Sequence, residues 1–336
     1  MTPTAPVIGR GAEIAVPKPD PAVRSYLQGR GSSWMADSTF RWLMLGCALS
    51  IFAIVGLIAG ELVAHSGLSL RKFGWGFFVG SAWNPVKNDF GALPFVYGTI
   101  VSSLVALAIA VPLAVGVAVF LTEMCPRALR GVLGFLTELL AAIPSVVYGL
   151  WAIFVLVPLL RNYVNPVLIR TLGWTGLFAR PDYGIGMFAA GVILAIMILP
   201  IISSLTREVM TAVPQSQREA ALALGATRWE MIRMGVLRNA RIGIVGSIIL
   251  GLGRALGETM AVTMVIGSSP TICRSLLAPA ATMASVIANE FAEAAGATYR
   301  SALVEIGLAL FLVTIAVNMV ARLLVWAVTR GAPARA

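Results

Sequence analysis

The stretch SQREAALALGATRWEMIRMGVLRNAR, residues 216–241, is polar and lies between two long apolar runs of the 336-residue chain. It contains the S-x-x-E pattern of a helix capping box at Ser216 and the related T-x-x-E pattern at Thr227. Gly225 lies between the two patterns, where a helix can end in the left-handed conformation that glycine adopts without steric cost. The stretch therefore predicts two small capped helices hinged at a glycine, a shape suited to docking another protein.

The rest of the chain has the composition of a membrane protein. Apolar residues make up 58% of it and charged residues only 12%, whereas soluble domains carry about 25% charged residues. Six apolar runs reach the roughly 20 residues that a helix needs to cross a bilayer, and they cover residues 42–64, 96–121, 131–160, 184–206, 242–267 and 302–328. Continuous runs of this length favour helices over a membrane β-barrel. The fold class predicted is an all-α integral membrane protein with six transmembrane helices.

The distribution of basic residues predicts the orientation. If the N-terminus is cytoplasmic, 16 of the 25 lysines and arginines lie in inner segments and eight in outer segments, with Arg254 inside a run. The positive-inside rule then places both termini and the loop 207–241 in the cytoplasm. The net charge of +10 is explained by this topology and by contact with anionic membrane lipids. Nucleic-acid binding is not predicted, because no basic domain with interleaved aromatic residues lies outside the runs.

The domain organisation follows from these assignments. Residues 1–40 are rich in proline and predict a cytoplasmic, largely disordered tail. Residues 41–330 form the six-helix transmembrane domain, and 331–336 form a short cytoplasmic C-terminal tail. The first apolar run is too long and starts too late for a cleaved signal peptide, so an uncleaved anchor is expected. The three cysteines fall in different compartments, and His65 is the single histidine, so neither a disulfide framework nor a metal site is predicted.

The external segments and the third run carry further expectations. Residues 67–94 are predicted to be external, with aromatic side chains that lie at the membrane interface or line a substrate entrance. Residues 161–183 are predicted to be a short interfacial loop, and residues 268–300 to contain an amphipathic helix across the outer mouth. Pro144 lies within the third run, in AAIPSVVYGLW, and should kink that helix. Ser145 and Tyr148 follow the kink. Two readings remain open: the kink improves helix packing, or these polar groups line a pathway.

The fifth run, IGIVGSIILGLGRALGETMAVTMVIG, contains two charged residues, Arg254 and Glu258. Counted from Ile242, Arg254 lies about 18 Å along the helix, near the middle of a core about 30 Å thick. Helical spacing places Glu258 and Ser247 on the same face. Two interpretations remain open. Arg254 and Glu258 neutralise each other and fix helix packing, or Arg254 is a binding point for an anion on its way through the membrane. The guanidinium geometry favours the second interpretation for phosphate-like oxyanions. Glu61, Glu138 and Glu305 are expected to be interfacial.

The chain lacks the features of an enzyme. A nucleotide-hydrolysing chain needs a G-x-x-x-x-G-K-[ST] loop, and the three lysines are followed by proline, phenylalanine and asparagine. No catalytic residue, metal or cofactor is therefore assigned to it. If ATP drives this protein, ATP and Mg bind to a separate subunit.

Three stretches resemble a known family. They are residues 141–151 (AAIPSVVYGLW), 219–232 (EAALALGATRWEMI) and 251–267 (GLGRALGETMAVTMVIG). The second resembles the EAA loop of bacterial binding-protein-dependent ABC-importer permeases, and the third is similar to the permeases of phosphate-uptake systems. The resemblance covers roughly residues 40–330. The EAA pattern of the family ends in I-x-L-P. In this chain the corresponding positions are occupied by Gly235, Val236, Leu237 and Arg238.

The resemblance implies a type I ABC importer permease in the bacterial plasma (inner) membrane, with a cytoplasmic helix-Gly-helix coupling loop. It implies a PstA-like second permease, two copies of a PstB-like ATPase and a PstS-like phosphate-binding protein as partners. The implied ATPase-coupling residues are Glu219, Ala220, Ala221 and Gly225. The hypothesis for the substrate pathway names Arg254, Glu258, Ser247 and Ser145.

Three alternatives remain at this point. The cargo can be another oxyanion, such as sulphate or molybdate. The chain can be a secondary transporter driven by an ion gradient, with Arg254 and Glu258 as the coupling pair. It can also be a membrane scaffold or sensor that transports nothing.

Overall fold

A computed structural model describes residues 33–179 and 182–330 of the chain. The predicted tails lie outside the described residues, except that a helix already begins at Ser33. The described residues divide into two compact units, one ending at Ile58 and the other starting at Ala59. The described part of the first unit belongs to one apolar helix. The second unit contains the remaining elements.

The described elements are twelve helices and one hairpin. In chain order they are α1 (Ser33–His65), α2 (Gly67–Phe73), α3 (Gly76–Val79), β1 (Trp83–Asn84), β2 (Asp89–Phe90), α4 (Leu93–Met124), α5 (Arg127–Ala142), α6 (Ser145–Thr175), α7 (Met187–Thr211), α8 (Gln215–Ala223), α9 (Arg228–Leu256), α10 (Met260–Ile266), α11 (Met283–Glu290) and α12 (Ala297–Arg330). Short π-helical turns occur within α4, α6 and α9. Helices α1, α4, α6, α7, α9 and α12 are long and apolar enough to cross a membrane. This confirms the all-α fold class with six spans.

The third span differs from its predicted position. Ile143 and Pro144 both have extended backbone, with ψ of 129° and 141°, so α5 ends before them and α6 starts after them. Proline removes a backbone donor and also disfavours a helical residue before it. The expectation of a kinked helix over 131–160 is therefore wrong, because the helix is broken at Pro144. The membrane-length helix is α6, which extends through most of the predicted interfacial loop 161–183.

The fifth span is also shifted. Helix α9 already begins at Arg228 and ends at Leu256, where the predicted span of 242–267 would have continued. Gly257 ends the helix, and α10 restarts the helical path at Met260. Hydropathy does not detect this break because the residues on both sides of it are apolar.

The core of the second unit is built around α7. Of its most apolar 18-residue window, 61% is buried, compared with 28% or less in the other five spans. Small residues let its neighbours approach closely. A Cβ added at Gly191 of α7 would lie 2.5 Å from a methyl group of Val105 on α4, so the glycine is needed for this contact. Alanines of α4 at positions 106, 110 and 114 are fully buried in the same core.

The segment after α1 is more ordered than a loop. Strands β1 and β2 pair antiparallel, with Trp83 opposite Phe90. Their rings pack against each other and against Phe95 and Tyr299, with Phe90 and Tyr299 stacked at 5.3 Å between ring centroids. Five of the six aromatic side chains of 67–94 thus contribute to a protein core, whereas Trp75 is exposed. The predicted amphipathic helix of 268–300 corresponds to α11, whose N-cap is Thr282.

Candidate functional site

The polar loop of residues 212–230 contains one small helix, α8. It begins after Pro214, whose extended ψ of 140° starts the helix without any side-chain cap. Ser216 is the second residue of α8, so the capping box predicted there is wrong. The box at Thr227 is confirmed: the Glu230 N–H donates to Thr227 Oγ1 at 3.3 Å, and the Thr227 N–H donates to Glu230 Oε2 at 2.8 Å.

Gly225 forms the hinge after α8. Its φ of +84° confirms the predicted left-handed conformation. The Gly225 N–H donates to the Leu222 carbonyl at 3.0 Å, and the Ala226 N–H donates to the Ala221 carbonyl at 3.2 Å, the pattern of a glycine-ended helix. The element after this hinge is the long helix α9, so the expectation of a second small helix is wrong.

The departure from the family pattern has a structural role. Gly235 lies where α9 passes α8, and an added Cβ would be 3.3 Å from the Gln217 carbonyl oxygen. A larger residue would push the two helices apart. Helix α9 continues through this region as a π-helical segment, Met231–Leu237. At the positions of the I-x-L-P ending, this chain therefore has an uninterrupted helix, α9, that passes close to α8.

A buried ion pair fixes α8 to the membrane helices. Arg218 Nη2 lies 3.0 Å from Glu123 Oε1 at the end of α4, and the two side chains are only 13% and 8% exposed. The guanidinium also donates to the carbonyl oxygens of Met210 and Val213, at 2.9 and 2.6 Å, beside the end of α7. The sequence offered no signal for this pair, because its partners are 95 residues apart.

The coupling residues implied by the resemblance divide into two groups. Glu219 and Ala220 are exposed on α8, whereas Ala221 is half-buried and packs against α9. Two large apolar side chains, which sequence reasoning missed, are exposed beside them: Leu224 is 89% exposed and Trp229 63%. Together these residues present a mixed polar and apolar surface, which we call the loop surface (Glu219, Ala220, Leu224 and Trp229).

Arg254 lies in the last turn of α9, immediately before the break at Gly257. It is exposed, and among the described residues none forms a hydrogen bond or ion pair with it. Glu258 lies beyond the helix end, so the predicted alignment of the two side chains on one helical face is wrong. Arg254 instead lies near Tyr148 of α6.

The two helix breaks are joined by direct contacts. The Tyr148 hydroxyl donates to the Leu140 carbonyl at 2.7 Å, spanning the break at Pro144. The next residue, Gly149, lies against α10: an added Cβ would be 3.2 Å from the Ala261 Cα. Ser145, a predicted pathway residue, is the first residue of α6 and is partly buried. The start of α6 thus packs against the short helix that follows Arg254.

Ser247 has a different environment. It is 2% exposed, and its hydroxyl donates to the Ile244 carbonyl at 2.7 Å. The Thr206 hydroxyl, 2.9 Å away, therefore donates to Ser247 and holds α9 against α7. The structure does not bring Ser247 together with Arg254, and its assignment to the substrate pathway stays a prediction.

The remaining carboxylates also differ from one another. Glu61 is exposed and lies 3.1 Å from His65. Glu138 pairs with Arg207 of α7 at 2.6 Å. Glu305, expected at the interface, is fully buried, and this expectation is wrong. Within residues 33–179 and 182–330, no group of three or more His, Cys, Asp or Glu side chains could hold a metal ion.

Comparison with known proteins identifies the family. Residues 110–331 match the family described as binding-protein-dependent transport system inner membrane component. The chain is 47% identical over 313 residues to the phosphate transport system permease protein PstC of Mesorhizobium japonicum, covering 92% of this chain and 96% of that protein. It is 44% identical over 297 residues to the protein of the same name from Haemophilus influenzae, covering 87% and 94%. The chain belongs to the PstC family of importer permeases.

A solved structure shares the fold of this PstC-family chain. A chain of a bacterial ABC transporter involved in the import of the acidic polysaccharide alginate aligns with a TM-score of 0.59 at 17% sequence identity, covering 88% of this chain and 99% of that one. At this identity the match concerns the fold alone. It agrees with the importer-permease fold expected from the EAA loop, and the PstC-family chain is a multi-pass membrane protein.

Proposed function

We propose that this chain is the permease subunit of an ATP-driven importer of inorganic phosphate, forms part of the translocation pathway and performs no catalysis. The observation that carries the proposal is the position of Arg254, an exposed guanidinium without an ion-pair partner in the described residues, at a break between two helices. Interrupted helices in transporters supply substrate sites. An arginine there matches the oxygens of a phosphate through paired N–H donors.

The excess of basic residues on one side supports an inner-membrane protein with both termini and α8 in the cytoplasm. In this orientation α8 faces the compartment that contains ATP. A PstB-like ATPase, present in two copies, binds ATP and Mg. A PstA-like permease completes the pathway, and a PstS-like binding protein delivers phosphate from outside.

The loop surface is the contact with the ATPase. Glu219 and Ala220 give it a polar part, while Leu224 and Trp229 supply exposed apolar area of the kind that marks protein–protein contacts. Ala221 and Gly225 shape it from within: the first packs α8 on α9, and the second sets the turn. Arg218 then transmits movement of α8 to the ends of α4 and α7.

Phosphate is favoured over sulphate or molybdate because the relatives with 44–48% identity bear the name of phosphate transport. Family membership does not favour the ion-gradient alternative, since the family is one of ABC permeases. Transport assays distinguish a different oxyanion cargo and an ion-gradient-driven mechanism from the proposed function. Uptake that survives ATP depletion but collapses with the ion gradient supports a secondary transporter, and competition by excess sulphate or molybdate supports a different cargo.

The test is phosphate uptake by cells that carry Arg254→Gln. Loss of a charged hydrogen-bond donor to the substrate costs about 1.5–3 kcal/mol, or roughly a 10- to 150-fold loss of uptake. Arg254→Lys should retain part of the activity. Arg170→Gln, at an exposed arginine of α6, is the matched control and should transport normally. Unchanged uptake by Arg254→Gln in a correctly assembled complex refutes the assignment.

A further inference from the structure

A polar cavity lies between the end of α4, the first part of α5 and the last turns of α7. Its volume is about 380 Å³, and two arginines from different helices line it, Arg130 of α5 and Arg207 of α7. Glu138 is the carboxylate in this lining. The described lining therefore carries one more positive than negative side chain, which suits a small anion.

The face of α5 that borders the cavity is built from residues four positions apart. Arg130, Gly134 and Glu138 repeat at this spacing, which places all three on one face of the helix. Gly134 is buried because the Arg207 guanidinium lies over it, so that an added Cβ would overlap Nη1. The glycine thus gives the guanidinium of α7 a place between the two charged residues of α5. A larger residue would displace it.

Both guanidinium groups keep hydrogen-bond donors for a ligand. Arg207 Nη2 donates to Glu138 Oε1 at 2.6 Å, and Arg130 Nη2 donates to the Thr122 carbonyl at 2.7 Å. The Nε and Nη1 groups of both arginines make no hydrogen bond with residues 33–179 or 182–330. A guanidinium offers five N–H donors in a planar fork that matches an oxyanion. Two of them at one cavity can hold a tetrahedral oxyanion from two helices.

Glu138 occupies a position that a bound anion would take. Its side chain is 58% exposed, whereas that of Arg207 is 24% exposed. The carboxylate therefore lies on the solvent side of the pair, and an exposed ion pair is weak enough for an arriving anion to displace it. The neighbouring charges stay outside the cavity: Arg127 and Glu208 are exposed, and Glu123 pairs with Arg218.

We propose that this cavity binds the phosphate group of an anion, with Arg130 and Arg207 as its ligands and Glu138 as a counter-ion that the anion displaces. Arg207 lies four residues, about 6 Å, before the end of α7. Arg254 lies about 39 Å along α9 from the turn that follows α8, so the two sites are distinct. The position of the cavity on the cytoplasmic side rests on the orientation proposed above, whereas its chemistry does not depend on Arg254.

The phosphate group has two sources at this position. Inorganic phosphate that leaves the permease passes its cytoplasmic end, and anionic phospholipids present the same group at the membrane surface. The opposite side of α5 is apolar and about half exposed, with Leu129 at 52%, Val132 at 57% and Leu136 at 46%. Such a helix suits contact with lipid chains. The guanidinium chemistry is the same for both sources, so the test has an arm for each.

Binding of inorganic phosphate tests the first source. The full chain with Arg254→Gln, which removes the other proposed anion site, is placed in nanodiscs of zwitterionic phosphatidylcholine, and bound radiolabelled phosphate is measured by equilibrium dialysis. Adding Arg130→Gln or Arg207→Gln should weaken binding roughly 10- to 150-fold. Arg127→Gln removes the same charge from the same helix outside the cavity. It is the matched control and should bind as the parent chain does.

Retention of phosphatidylglycerol tests the second source. The same chains are placed in nanodiscs that contain this anionic lipid, released into detergent and examined by native mass spectrometry. Arg130→Gln and Arg207→Gln should each lose a bound phosphatidylglycerol that Arg127→Gln retains. A response of either phosphate or phosphatidylglycerol to the two cavity arginines supports the site and identifies the source.

Glu138→Gln separates the proposal from an ion pair that only joins α5 to α7. Removing the competing carboxylate should tighten binding of the responding ligand about two- to fivefold, a gain that a misfolded variant does not produce. The proposal is overturned if neither ligand responds to Arg130 and Arg207, if Arg127→Gln causes an equal loss, or if Glu138→Gln fails to tighten binding. Phosphate uptake by Arg254→Gln tests the proposed function separately, so the two failures are distinguishable.

Discussion

Replacing Arg218 with methionine removes the buried anchor of α8 while nearly preserving the length of the side chain. The guanidinium pairs with Glu123, and both side chains are largely buried, at 13% and 8% exposure. It also satisfies two backbone carbonyl oxygens at the end of α7, where a positive charge is favourable. The substitution therefore leaves Glu123 as an unpaired charge whose side chain is largely buried.

The magnitude follows from the burial of the pair. Removing one partner of a buried ion pair costs about 3–5 kcal/mol, because the remaining charge has neither water nor a counter-ion. This corresponds to a shift of roughly 100- to 4,000-fold in the equilibrium between attached and detached α8. The double variant Glu123→Gln with Arg218→Met removes the stranded charge. It should recover at least half of the loss, since replacing both partners is often nearly neutral.

The assay uses the assembled transporter and two readouts. Limited proteolysis of the segment around α8 reports detachment, and the ratio of phosphate imported to ATP hydrolysed reports coupling. Arg218→Met should be cleaved faster and should import less phosphate per ATP, and the double variant should approach the wild type in both. Glu123→Gln alone completes the cycle. If its effect and that of Arg218→Met simply add in the double variant, with a coupling energy below about 0.5 kcal/mol, the pair does not act as an anchor and the reasoning fails.

Three further predictions rest on single contacts. Gly225→Val should uncouple ATP hydrolysis from uptake, whereas Gly225→Asn should be mild, because a φ of +84° excludes β-branched residues but suits asparagine and no atom lies within 4 Å of an added Cβ; equal ATPase-to-uptake ratios in both variants would contradict this. Ser247→Ala should destabilise the protein by about 1–3 kcal/mol by stranding the Thr206 hydroxyl, and the double variant with Thr206→Val should be closer to wild type in thermal unfolding; an additive loss would refute it. Gly98→Ala should lower the unfolding temperature strongly, because the new Cβ would overlap the Ala281 carbonyl and overpacking costs about 1–3 kcal/mol or more. Gly116→Ala, at a position with nothing within 4 Å of an added Cβ, is the matched control. A loss of equal size in the control would show that the overlap with Ala281 is not the cause.

Much of the fold follows from local sequence. Continuous apolar runs fix the number and type of the spans, because a bilayer requires about 20 apolar residues in a helix. The turn at Gly225 and the cap at Thr227 were also predictable, since each depends on residues within four positions of one another. These features need no knowledge of tertiary contacts.

The features that sequence reasoning missed depend on distant parts of the chain or on the absence of a hydropathy signal. Arg218 and Glu123 meet across 95 residues. The break before Ser145 lies in an apolar run, where a proline predicts a kinked helix and not its end. The shift of the fifth span has another cause: its first half, with four arginines between positions 228 and 241, looks like a loop but is helical and packs against α8.

The corrected bounds of α9 change how the loop and Arg254 are connected. If the fifth span had covered 242–267 as predicted, the loop 207–241 would have been a separate element that ends before the helix of Arg254. Instead, α9 is one helix of 29 residues, about 43 Å long, with the turn at Gly225 before its first residue and the break at Gly257 after its last. A helix without an internal break moves as a unit, so displacement at the crossing of Gly235 and α8 reaches the turn that carries Arg254. Because Gly149 packs the next short helix, α10, against α6, the same displacement also moves the start of the third span.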